Sequence, residues 1–116
     1  MGIVIRKDPD RIRAADVVFI SRLRAPHGIP KRFLQLVPDL IAEIVSPTDR
    51  WQDIRAKLED YFSIGVQPVW VVEPDTRSVL VYRSPTEAVK LGDEETLEGE
   101  GVLKGFALPV NRLFAD

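Results

Sequence analysis

The chain has 116 residues, 45% of them hydrophobic and 29% charged, which suits one small domain with one core. It has no cysteine, which excludes disulfides and thiolate chemistry and fits a reducing, cytoplasmic setting. No apolar run approaches the roughly 20 residues of a membrane span, and the first residues do not read as a signal peptide, so no membrane partner is expected. The net charge of −2 hides an asymmetry: residues 1–32 hold eight Lys/Arg against three Asp, a net of +5, and residues 33–116 hold eight against fifteen acids, a net of −7. That polarity can turn a basic face toward a phosphate backbone; a merely solvated basic hairpin has the same composition.

In chain order, Ile3-Val4-Ile5 reads as a short strand, Asp8-Pro9-Asp10 as a turn, and Asp16 to Ile20 as a second strand rich in β-branched residues. Residues 21–37 are a connector. Its Ala25-Pro26-His27-Gly28-Ile29-Pro30 segment is a loop by content, and His27, the only histidine, has no companion His or Cys. Asp39 to Val45 is a third strand. Leu40, Ala42 and Ile44 face one way, and Asp39, Ile41, Glu43 and Val45 the other. Both faces are mostly apolar, as in a central strand covered on both sides.

Glu43 interrupts this strand. A lone carboxylate in a buried strand is costly unless it is paired or holds a metal. Asp39 shares its face but lies ~13 Å away along the strand, at about 3.3 Å per residue. A partner carboxylate must come from a neighbouring strand, and Asp16 is the candidate, although local sequence alone favours an edge or turn role for Asp16.

After a turn at Ser46-Pro47-Thr48, the spacing predicts a helix from about Asp49, with Asp49 and Gln52 resembling a capping box. Trp51, Ile54, Leu58, Tyr61 and Phe62 form one apolar arc, with Lys57 on its edge and Asp53 largely off it. A snorkelling lysine with its stem on the core has the same position. Gly65 ends the helix. Val69 to Val72 is a fourth strand, so strand, helix and strand form a βαβ unit with parallel strands. Ser78 to Arg83 is an antiparallel partner. Residues 84–101 are polar and read as a surface hairpin or loop, with a possible strand at Ala88 to Leu91. Gly105-Phe106-Ala107-Leu108-Pro109 and Leu113-Phe114 are expected to dock apolar side chains on the core.

The succession Asp16-Val17-Val18-Phe19, Pro38 to Arg50, Asp53, Lys57, Tyr61, Gly65-Val66, Trp70-Val71-Val72, Val81-Tyr82-Arg83 and Gly105-Phe106 resembles the Uma-type putative restriction endonucleases of the PD-(D/E)XK nuclease superfamily. The run E-x-x-S-P-x-x-R from Glu43, with Lys57 and Tyr61 at helical spacing, is its most specific part. The resemblance implies an α/β (α+β) restriction-endonuclease-like core, a mixed sheet with a central βαβ unit and a flanking helix. It implies one domain over residues 1–116, without the N-terminal helix and strand of longer relatives. Ala15 also departs from the proline usual before the aspartate.

The resemblance further implies a Mg²⁺-dependent endonuclease acting on DNA phosphodiesters, with Mn²⁺ as a possible substitute. Asp16 and Glu43 match the two acids, and Lys57 the lysine, displaced to the helix because Val45 stands in its usual place. Asp16, Glu43 and the backbone carbonyl of Ile44 would hold the ion, which keeps several waters. Arg11, Arg13, Arg22, Arg24, Lys31 and Arg32 would meet DNA, and a homodimer is expected. The alternative is a catalytically silent relative serving as a DNA-binding or oligomerisation module.

Overall fold

The structure is a computed structural model describing residues 2–6, 11–28 and 36–115. The expected turn at Asp8-Pro9-Asp10, the loop residues Ile29 and Pro30, and the basic residues Lys31 and Arg32 lie outside the described residues, as do the side chains of Arg6, Arg11 and Ile12.

The chain opens with an antiparallel hairpin of β1 (Gly2–Arg6) and β2 (Arg11–Ala14). Ala15 and Asp16 lead into β3 (Val17–Phe19), which runs antiparallel to β4 (Leu40–Ile44). Helix α1 (Trp51–Ser63) then crosses over to β5 (Val69–Glu73), which pairs parallel with β4. The expected βαβ unit is present. Next come β6 (Ser78–Ser84) and β7 (Glu87–Leu91), each antiparallel to the strand before it. The mixed sheet has the order β3-β4-β5-β6-β7.

The strand pleat sorts apolar side chains into two clusters. On one face Ile41, Val69 and Val71 meet Ile54, Leu58 and Tyr61 of α1, together with Ile3 of β1. On the other, Leu40, Ala42, Trp70, Val79 and Val81 meet Leu97 and Val110. β4 is thus covered on both sides, which is why it reads as an almost continuous apolar run. Glu43 lies on the α1 side, as the alternation predicts.

Gly65 closes α1. Its φ is +95°, the Val66 N–H reaches the Tyr61 carbonyl (3.1 Å), and the Gly65 N–H reaches that of Phe62 (3.1 Å). This pair of bonds satisfies carbonyls the helix leaves open and needs a positive φ at the glycine.

Three expectations are corrected. The N-terminal residue of α1 is preceded by Arg50, which makes no side-chain capping hydrogen bond. The Asp49 carboxylate instead turns back to Ser46, closing the turn before the helix, so it is not available for a capping box. The acid-rich segment after β7 is more than surface loop. It contains β8 (Thr96–Glu98), paired antiparallel with β9 (Ala107–Pro109), and it buries Leu97 almost completely. The closing segment docks on the core as expected, but through Val110 of α2 (Val110–Leu113), which is fully buried, and the partly buried Phe114, while Phe106 and Leu113 stay 43% and 40% exposed. Phe106 lies stacked on Trp70, with ring centroids 6.0 Å apart.

Candidate active site

The register of β3 on β4 sets the site. Val17 pairs with Ala42, so Asp16, one residue earlier, comes opposite Glu43. Residues directly opposite in an antiparallel pair point to the same side. The Asp16 Oδ2 accepts the Ile44 backbone N–H at 2.8 Å, which pins this carboxylate at the end of β4. Asp16 is otherwise exposed, whereas Glu43 is 4% exposed.

Helix α1 supplies the other wall. The Tyr61 hydroxyl donates to Glu43 Oε1 at 2.6 Å, and the Lys57 Nζ lies 3.5 Å from the same oxygen. Lys57 also donates to the Ala14 carbonyl at 3.0 Å, and the Tyr61 hydroxyl is 3.4 Å from it. A hydroxyl has one proton, and the shorter bond to a carboxylate takes it. Lys57 and Tyr61, one turn apart, therefore tie the end of β2 and the middle of β4 to one helix face.

Burial pushes the Glu43 carboxyl above the usual carboxylate range. The Tyr61 hydrogen bond and the Lys57 charge pull it back, and neighbouring Asp16 pushes it up again. Burial, then the Glu43 bond, raises the Tyr61 phenol well above its ordinary value, so it stays a donor. At the cleft rim, the Ser46 N–H and hydroxyl donate to Asp49 Oδ2 at 2.8 and 3.1 Å. They hold the Asp49 carboxyl below the usual range.

Asp16, Glu43, Ile44, Ser46, Asp49, Asp53 and Lys57 line one cleft of about 300 Å³. The structure thus brings together the residues expected as catalytic and metal-holding. Asp53, which the helical arc places off the apolar face, stands at the cleft wall. Tyr61 was legible as a core residue but not as the partner of Glu43. The available signal was chemical: a tyrosine one turn beyond Lys57 offers a donor to a buried carboxylate that needs one.

Asp39 has a different task. Its Oδ2 accepts the Ser21 N–H at 2.7 Å and its Oδ1 pairs with Arg24 Nε at 2.8 Å, so it holds the connector after β3. Of the expected DNA-contacting residues, Arg13 pairs with Asp60 at 2.6 Å, Arg24 with Asp39, and Arg22 is exposed.

The donor set fits a small hard cation. Asp16 and Glu43 each have one oxygen accepting from a protein donor, the two carboxyls lie within hydrogen-bond reach of each other, and carboxylate oxygens suit Mg²⁺. Among the described residues no group of three or more His, Cys, Asp or Glu side chains forms a metal cage. Mg²⁺ is commonly held by one or two carboxylates with waters and substrate phosphates, so two acids suffice.

The family model for Uma2, described as "Putative restriction endonuclease", matches residues 2–111. Among solved structures, a putative nuclease belonging to DUF820 from Anabaena variabilis superposes with a TM-score of 0.82 at 20% identity, over 97% of this chain and 64% of that one. The chain therefore spans less than two thirds of that relative, and the likeness at this identity shows a common fold. No curated protein matches the chain. No helix of the described residues is long and apolar enough to cross a membrane.

Proposed function

Since the chain belongs to the Uma2 family of putative restriction endonucleases, we propose that it is a nuclease that hydrolyses DNA phosphodiester bonds with Mg²⁺ bound between Asp16 and Glu43. The observation that carries this reading is the meeting of Asp16, Glu43 and Lys57 in one cleft, drawn from a strand end, a central strand and a helix. The cleft is lined by four carboxylates and one lysine. An anionic phosphodiester would be repelled from it without added cations.

Asp16, Glu43 and the Ile44 carbonyl are the groups that would hold the ion. Bound there, it would supply Lewis-acid polarisation of a phosphoryl oxygen and charge neutralisation. Lys57 has three N–H donors; one bonds the Ala14 carbonyl, and the charge lies 3.5 Å from Glu43 Oε1. Its remaining donor capacity would orient the attacking water or meet developing negative charge on the phosphate. The like charges of Asp16 and Glu43 are partly offset by Lys57 while no ion is bound. DNA contact falls to the basic N-terminal third, with Arg22 the readiest of the described residues because Arg13 and Arg24 already have carboxylate partners.

The test is cleavage of plasmid and linear DNA with and without Mg²⁺, beside Mn²⁺ binding to the same samples. Lys57→Ala is expected to lower the cleavage rate about 10²–10³-fold, the usual loss on removing a group that stabilises transition-state charge. Its Mn²⁺ affinity should change little. Unchanged cleavage would return Lys57 to a structural role. Ion binding with no cleavage of any DNA by the wild type would favour the catalytically silent relative serving as a DNA-binding or oligomerisation module.

A further inference from the structure

We propose that Tyr61 is a positioning residue that commits Glu43 to one-oxygen coordination, by holding Oε1 and leaving Oε2 to face the ion. This inference rests on the metal-site reading above and concerns a residue that touches neither ion nor substrate. Tyr61 is fully buried, and its hydroxyl is 2.6 Å from Oε1. The Lys57 ammonium approaches the same oxygen at 3.5 Å. A short hydrogen bond and a nearby positive charge thus converge on Oε1. A carboxylate oxygen so engaged is a poor second arm of a bidentate grip.

Asp16 is arranged alike, since Oδ2 takes the Ile44 N–H. Each acid then offers a single oxygen. That leaves most of the coordination sphere to water and phosphate, as Mg²⁺ chemistry requires. The phenol does for Glu43 what partners of ligating side chains do generally: it fixes orientation before the ion arrives. The Ala14 carbonyl, accepting from Nζ at 3.0 Å, keeps the lysine in register with the strand link that carries Asp16.

Tyr61→Phe removes the hydroxyl and keeps the ring, so the core volume is preserved. Mn²⁺ affinity would be read by electron paramagnetic resonance. Glu43 denticity would be read from infrared carboxylate bands in metal-loaded minus metal-free spectra, with Glu43→Gln identifying the Glu43 signal. The wild type should show the wide band splitting of a monodentate carboxylate. Tyr61→Phe should lose about 10- to 100-fold in Mn²⁺ affinity, and its Glu43 splitting should narrow toward the bidentate pattern. Tyr82→Phe, a hydroxyl removed from β6 outside the cleft lining, should change neither.

The inference is overturned if wild-type Glu43 binds Mg²⁺ in a bidentate manner, a measurement that does not depend on the variant folding. It is equally overturned if Tyr61→Phe matches the wild type in affinity and spectrum. In both cases the metal site itself would stand. Absence of Mn²⁺ binding by the wild type would remove the metal site and this inference together.

Discussion

Glu43 sits where its charge is disfavoured, and that gives a pH signature without any substrate. Burial raises its folded-state pKa, and the opposing effects of Tyr61 and Lys57 do not restore it. A carboxyl group with a raised folded pKa binds more protons folded than unfolded. Its stabilising contribution is present in full below the unfolded pKa and is lost as pH rises through the folded one. Glu43→Gln removes the charge at nearly constant volume, and its amide oxygen can still accept from Tyr61. Metal-free Glu43→Gln is expected to melt higher than the wild type near neutral pH, with the difference shrinking toward zero as pH falls below the ordinary carboxylate range. Melts in metal-free buffers of matched ionic strength across that window check it; a gain that grows toward acid would contradict the sign. The sequence showed that Glu43 needed a partner, because a charge in an apolar strand is conspicuous. It did not show Tyr61 as that partner, because an aromatic on an apolar helical arc satisfies the core pattern whatever its hydroxyl does.

At the scale of elements, β4, α1 and β5 were readable because each signal was local: period-2 alternation, a 3.6-residue arc, and a glycine that ends the helix. The segment after β7 was not. Its acids, Asp93, Glu94, Glu95, Glu98 and Glu100, mark it as solvent-facing, and all but the partly covered Glu100 are exposed. Leu97 stands alone among them, and a single apolar residue has no periodicity to announce a strand. Pairing with β9, about ten residues later, decides its fate, and pairing between separated segments is not written in a local window. The assignment has a measurable consequence. Leu97 is packed with Trp70, Val79 and Val81 on the face opposite α1. Leu97→Ala should cost about 2–5 kcal/mol, the range for deleting a buried leucine side chain. Chemical denaturation of the metal-free protein reads this. A loss below about 0.5 kcal/mol, typical of a surface substitution, would return residues 96–98 to the solvent-exposed hairpin.

Across the whole molecule, the candidate site is where separate parts of the chain converge. The Ala14 to Asp16 link lies far in sequence from β4 and α1, which follow one another, yet Lys57, Tyr61, Asp16 and the Ile44 N–H join all three within one set of hydrogen bonds. The unfolded chain cannot present two carboxylates in this arrangement, so an ion that binds there stabilises the folded state by mass action. With free Mg²⁺ a hundredfold above its dissociation constant, the wild type should gain about 2.7 kcal/mol. Asp16→Asn preserves an oxygen to accept the Ile44 N–H but removes a ligand charge. It should melt close to the wild type, or above it, without metal, and lose most of the Mg²⁺-dependent gain. NaCl at matched ionic strength controls for screening, since the Asp16 side of the site is open to solvent. If Asp16→Asn instead melts far below the wild type in metal-free buffer and keeps the full Mg²⁺ shift, then the bond to Ile44 is the whole of its role. The ion would then have to be held without Asp16, and the nuclease reading would lose one of the two acids on which it stands.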